Sequence, residues 1–177
     1  MDKIIKSEGY HATRTENANK ILKEKHFEPS TKENEWLGTG VYFFKYLGHA
    51  YWWASVGVNR KKETSILKAT LEYNNSQLLD LDDPDRLSQL EAIVKAAVKR
   101  LNDSNKNVAA MQHKSVELSK KWNFACNLIR SIDSDIGIIT YTFPTKDNKQ
   151  YSGFQTTQKQ ICVSKDLIIT AIEEVEV

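Results

Sequence analysis

Apolar residues recur along the chain in two rhythms, and the switches between them mark the expected elements. Residues 9–13 read as a short strand, and the spacing of Ala18, Ile21, Leu22 and His26 then predicts a helix capped by Thr15. A polar stretch through Lys32 and Asn34 reaches Trp36-Leu37-Gly38-Thr39-Gly40, after which residues 41–44 form a second strand-like run. An aromatic-rich helix is expected from about Gly48 to Asn59. Residues 65–73 alternate apolar and polar side chains, and 78–81 resume strand character beyond the Asn74-Asn75 turn. Asp83 before Pro84 is a cap followed by a first-turn proline, and Leu87, Leu90, Ile93, Val94, Ala97, Val98 and Leu101 trace one helical face. A further helical stretch, broken internally, is predicted over 108–132, followed by strands at 137–143, 160–163 and 167–172. The sum is an α+β fold with an antiparallel or mixed sheet.

With 177 residues, the pattern corresponds to a single domain over 1–177. Hydrophobic residues make up 40% and charged residues 27%, which is a globular composition. The 25 Lys+Arg nearly balance the 23 Asp+Glu, so a net charge of +2 gives no broad positive field for nucleic acid. The basic cluster Asn59-Arg60-Lys61-Lys62 reads first as a solvated helix end and second as a contact for dinucleotide phosphates or a nucleic-acid target; Lys120-Lys121 before Trp122 reads first as solvated lysines beside a buried Trp and second as a group that stacks on and neutralises a nucleic-acid strand. Cys126 and Cys162 lack CxxC or Cys/His spacing and are expected as buried free thiols, and His26, His49 and His113 have no metal-ligand spacing, so no metal is implied. No segment is apolar enough for a signal peptide or a bilayer span, which makes a cytoplasmic location and no membrane partner the expectation.

Three short pieces place polar or aromatic side chains on or beside strands: Tyr10-His11-Ala12-Thr13, Gly38-Thr39-Gly40-Val41-Tyr42-Phe43 and Gln158-Lys159-Gln160-Ile161-Cys162-Val163. Read singly, His11 is a structural histidine at a strand end and Tyr42 a strand aromatic. Tyr51-Trp52-Trp53 would be core filling in part, and Gln158 and Gln160 the solvent face of an edge strand. Read together, they resemble the ADP-ribosyltransferase superfamily in its diphtheria-toxin and poly(ADP-ribose) polymerase branch, whose signature is a histidine, a tyrosine and usually a glutamate on three strands. His11-Ala12-Thr13 is followed by Asn17-Ala18-Asn19-Lys20-Ile21-Leu22, matching the family's first strand and helix. Gly38-Thr39-Gly40-Val41-Tyr42-Phe43 matches the second strand and leads into Ala50-Tyr51-Trp52-Trp53-Ala54. At the start of the third, Gln160 stands where the family carries its catalytic glutamate.

The resemblance implies split, mainly antiparallel β-sheets around an NAD cleft with flanking helices. It implies a mono-ADP-ribosyltransferase that releases nicotinamide from NAD and passes ADP-ribose to a macromolecule, protein or nucleic acid. His11 would bond a ribose hydroxyl, the backbone at Ala12 and Thr13 would border the nicotinamide amide, and Tyr42 would stack on the nicotinamide ring. Tyr51, Trp52 or Trp53 would close the other face of that ring. Gln160 would bond the 2′-hydroxyl of the nicotinamide ribose, and Gln158 would sit where relatives select their target. A neutral amide at 160 supplies neither a general base nor full negative charge beside an oxocarbenium-like transition state. An NAD- or ADP-ribose-binding module that does not turn over, or an NAD glycohydrolase, are therefore the alternatives. A small transferase of this kind resembles a bacterial toxin or antiphage effector, for which an antitoxin partner is expected.

Overall fold

A computed structural model of the chain describes residues 3–55, 63–103, 117–145 and 156–175, with the side chains of 101–103 not included. The expectations for residues 56–62, which include the cluster Asn59-Arg60-Lys61-Lys62, and for 108–116, which include His113, lie outside the described residues. The described elements are, in chain order, β1 (Ile5–Arg14), α1 (Thr15–Glu24), β2 (Val41–Phe44), α2 (Leu47–Ser55), β3 (Thr64–Tyr73), β4 (Leu78–Asp80), α3 (Pro84–Asp103), α4 (Leu118–Ile132), β5 (Ile138–Pro144), β6 (Thr157–Val163) and β7 (Ile169–Glu174). This is a mixed α/β arrangement of the expected α+β kind, with mostly antiparallel strands.

The seven strands form one sheet in the order β4-β5-β6-β2-β1-β3-β7. All neighbours are antiparallel except β4 and β5, which are parallel because the chain between them runs through α3 and α4 before returning. The β1–β3 ladder is long, from Ile5↔Tyr73 to Arg14↔Thr64, whereas β1 meets β2 at the single pair Tyr10↔Phe44. β2 instead pairs along its whole length with β6, from Val41↔Val163 to Phe44↔Gln160. The two halves of the sheet thus part at the β1–β2 seam.

Alternation along the strands sorts the core into two faces. Val41, Phe43, Leu67, Ile161 and Val163 pack with Ala18 of α1 and with Phe27 on one face. On the other, α3 and α4 cover β4, β5 and β6 through Leu90, Cys126, Ile129, Ile139, Phe143 and Cys162. Over β1 and β3 that face is covered by α2, where Ala50 meets Ala12 and Ile66. Tyr42, Phe44, Gln158 and Gln160 share this second face and lie between the two clusters.

Several boundaries differ from the sequence reading, each for a local reason. β1 begins well before Gly9 because β3 pairs with it from Ile5 onward. Thr15 is the first helical residue rather than the cap: its N–H donates to the carbonyl of Glu63, the residue just before β3, at 3.1 Å, which satisfies one donor of the helix start. Lys25, at φ 55, ends α1 before His26, which leaves the helix face and meets Asp166 at 3.2 Å. Leu167, expected in a strand, sits in a 3₁₀ turn and is 93% exposed. Tyr51, Trp52 and Trp53 are all exposed, against the expectation that some fill the core; α2 buries only Ala50. Cys126 and Cys162 are buried free thiols as expected. Among the described residues no helix is long and apolar enough to cross a membrane.

Candidate functional site

Where β1 and β2 part, a cleft of about 510 Å³ opens between them. His11, Ala12 and Thr13 line one wall, and Gly40 to Phe44 the other. Gln158 and Gln160 of β6 and the indoles of Trp52 and Trp53 from α2 also border it. The alternation on β6 is what delivers both glutamines to the cleft: Gln160 opposes Phe44 and Gln158 opposes Phe143, while Lys159 points to the opposite face. Lys159 is held there at 3.2 Å from Asp80 and 2.8 Å from Asp82.

The loop leading into β2 is pinned from several directions. Ser30 and Gly40 exchange two backbone hydrogen bonds, at 2.9 and 3.0 Å, which close the loop at its base. The Tyr42 hydroxyl donates to the Gly38 carbonyl at 2.6 Å and accepts from the Leu37 N–H at 2.8 Å. From α4, Asn127 accepts from the Thr39 N–H at 2.9 Å, and Asn123 donates to the carbonyls of Lys32 and Glu35 at 3.1 Å each. Arg130, two turns along the same helix face, donates to the carbonyls of Leu37, Thr39 and Cys162. The spacing Gly38-Thr39-Gly40 follows from this crowding. Gly38 has φ +82, and a Cβ there would lie 2.6 Å from the Asn127 oxygen; at Gly40 it would lie 2.6 Å from the Val163 carbonyl.

His11 bridges the seam, with Nδ1 2.8 Å from the Tyr42 carbonyl and its ring edge-on to Phe27 and Phe43. A carbonyl only accepts, so Nδ1 carries the proton. Burial lowers the pKa of the ring against a smaller upward pull from that hydrogen bond, so at neutral pH Nε2 is a lone-pair acceptor. Burial raises the pKa of the Tyr42 phenol. The same cause pushes the Cys126 thiol up to about 12 and raises Cys162, which removes both from consideration as nucleophiles at neutral pH.

A carboxylate absent from the sequence reading also borders the cleft. Glu35 is half-buried, accepts a 2.5 Å hydrogen bond from the Ser30 hydroxyl, and belongs to the loop that α4 pins. Glu28, exposed, stands at the same rim. Neither follows a motif, and no local signal separates them from the other acidic residues nearby.

No established family description matches the chain, and no solved structure matches it. A protein of Methanocaldococcus jannaschii, named only as uncharacterized, is 37% identical over 76 residues. That match covers 41% of this chain, and the chain spans 36% of the length of that protein.

Of the residues singled out in the sequence, His11, Ala12, Thr13, Tyr42, Trp52, Gln158 and Gln160 come together at one cleft. Tyr51 does not: it is exposed on α2 and forms no part of the lining, which leaves Trp52 and Trp53 as the aromatic neighbours. Ala12 keeps β3 on one side, opposite Ile66, while on its other side the ladder to β2 has ended at Tyr10. Trp122 packs edge-on to Trp36 at 5.7 Å, and Lys120 lies 3.5 Å from Glu33, which fits the structural reading of that stretch. Among the described residues no cluster of His, Cys, Asp and Glu is arranged to hold a metal.

Proposed function

We propose that the chain is an NAD-dependent mono-ADP-ribosyltransferase whose cleft lies at the β1–β2 seam. The observation that carries this reading is the convergence of His11, Tyr42 and Gln160, drawn from three strands far apart in sequence, with exposed indoles beside them. In the transfer, a lone pair of the acceptor bonds to C1′ of the nicotinamide ribose while the bond from C1′ to the pyridinium nitrogen breaks. The electron pair stays on that nitrogen, nicotinamide leaves neutral, and the acceptor proton passes to a base. His11 accepts from a ribose hydroxyl through Nε2, and the Tyr42 ring, fixed through its hydroxyl, packs on nicotinamide. Gln160 bonds the ribose 2′-hydroxyl. Ordering these groups in advance lowers the barrier because no reorganisation is left for the reaction itself.

Charge decides between turnover and mere binding. Gln160 leaves β6 without the carboxylate that would favour a cationic ribose, and this is the feature that favours a non-reacting binding module as the second reading. Glu35 answers it: a carboxylate on the pinned loop supplies negative charge to the same cleft and a base for the acceptor proton. The test is nicotinamide release from NAD by the purified chain, with and without cell lysate as acceptor. Release that rises with lysate and falls in Glu35→Gln and Tyr42→Ala is the expected result. NAD binding without release, in wild type and in Gln160→Glu alike, would replace the transferase by the binding module. The kinship with toxins and antiphage effectors belongs to the same proposal.

A further inference from the structure

The carbonyls that Arg130 engages belong to two different parts of the cleft wall. Nη1 donates to Leu37 at 3.2 Å and to Thr39 at 2.8 Å, both on the loop before β2, while Nη2 donates to Cys162 of β6 at 3.2 Å. Leu37 and Thr39 flank Gly38, whose carbonyl takes the Tyr42 hydroxyl, and Cys162 lies two residues beyond Gln160 on the same strand. One guanidinium thus joins the loop that carries Glu35 to the strand that carries Gln160. Its planar fork suits the task, because the terminal nitrogens diverge in a fixed geometry and a slip of loop against strand breaks a bond on one side or the other. Arg130 itself forms no part of the cleft lining. Its Nε is buried without a partner among the described residues, and its other nitrogens are answered by carbonyls rather than by a carboxylate. A cation so placed carries a desolvation cost that an apolar side chain of similar length avoids. What it supplies in return is a single register between loop and strand. The cleft residues depend on that register unequally. Tyr42 keeps its ladder to β6 and His11 its bond to the Tyr42 carbonyl without any help from Arg130. Glu35 has no ladder: its place is set by the loop, by Ser30, and by Asn123, which donates to its carbonyl at 3.1 Å.

Building on the transferase reading, we propose that Arg130 is a positioning residue for the reaction: without touching NAD, it locks the loop closed by Ser30 and Gly40 against β6 and thereby sets the Glu35 carboxylate toward the reacting ribose. Asn123 is the second hold on the same carboxylate. The experiment measures kcat and KM for nicotinamide release in the presence of lysate, together with NAD affinity, for the wild-type chain, Arg130→Met, Arg130→Lys, Asn123→Ala, Glu35→Gln and the two combinations Arg130→Met/Glu35→Gln and Asn123→Ala/Glu35→Gln. Arg130→Met should lower kcat about tenfold and NAD affinity by less than about twofold, since a misplaced charge slows the step without emptying the cleft. Arg130→Lys, which keeps the charge but loses the fork, should recover part of the loss, and Asn123→Ala should show a smaller fall in the same direction. In the Glu35→Gln background neither substitution should cost anything further, because both act through the carboxylate already removed. Should Arg130→Met fail to fold, Asn123→Ala carries the same cycle from a partly exposed site. Equal losses in both backgrounds, or a loss confined to KM, would overturn the positioning role while leaving the transferase standing. Absence of nicotinamide release from the wild-type chain would overturn the two together; hydrogen exchange at the Leu37 and Thr39 amides, faster in Arg130→Met with the β1–β3 ladder unchanged, would then still show the lock on the loop.

Discussion

Gln158 and Lys159 are neighbours on β6 that point to opposite faces of the sheet, and their surroundings differ in kind. Lys159 lies between Asp80 and Asp82, and those carboxylates are further bonded to the hydroxyls of Thr140 and Thr142 at 2.8 Å each. Lys159, Asp80 and Asp82 thus satisfy one another locally. Gln158, more deeply buried, has an Oε1 with neither a hydrogen-bond partner nor accessible surface, and Gln160 beyond it borders a cleft. Polar groups paired within the fold support it, whereas a buried oxygen left without a partner is held at some expense in stability. Adjacent residues on one strand thus differ in whether the fold itself satisfies them.

The largest effect should fall on the cleft side. Glu35→Gln and Tyr42→Ala are each expected to lower nicotinamide release about 10²-fold, a loss typical of removing one preorganised electrostatic or stacking group. Lys159→Met should leave release close to wild type, and an equal loss there would erase the distinction between the faces. The same substitution at adjacent positions should then change stability in opposite directions. Lys159→Met leaves two carboxylates facing each other and should cost about 1–2 kcal/mol, lowering Tm by ~3–6 °C. Gln158→Met removes a buried unsatisfied oxygen and should add about 1 kcal/mol, raising Tm by ~3 °C. Calorimetry of the two variants decides it, and a drop in both would show that Gln158 is structural.

The smallest effects lie in pH. Burial raises the Asp82 carboxyl, but its bonds to Lys159 and Thr142 outweigh this, and the net shift is below its ordinary 3.8. Its contribution is therefore present above that value and lost as pH falls through the lower folded one. Lys159 is raised above 10.5 despite burial, so its share is intact below that value and disappears in stronger alkali. Lys159→Met should flatten the stability profile at both ends. His11 behaves differently: its folded pKa lies below 6.5, so the unfolded chain binds the extra proton first and stability falls as pH drops beneath 6.5. His11→Asn should remove that middle step, measured as Tm against pH.

What was legible in the sequence follows from the range of the forces involved. Alternation and punctuation are local, so β2 at Val41–Phe44 and the run of α3 from Pro84 appear in the chain with nearly their final limits. His11, Tyr42 and Gln160 were visible because each lies in a strand segment with a recognisable motif. Glu35 was not, because its place depends on Asn127 and Arg130 gripping its loop from 88 and 93 residues away. Trp52 and Trp53 were half legible: their aromatic character stood out, but aromatics at helical spacing read as core, and only the uncovered face over β2 turns them outward.

The pairing of β2 has a consequence for how the molecule comes into being. β2 touches β1 at one register pair and finds its full ladder in β6, which begins at Thr157. During synthesis, the strand bearing Tyr42 leaves the ribosome long before the strand that secures it, and closing so long a loop is slow compared with forming helices or hairpins. The cleft is thus among the last parts of the molecule to assemble. A nascent or truncated chain lacking β6 leaves β2 without its ladder, so the wall formed by Gly40 to Phe44 is unsecured until Thr157–Val163 has been made.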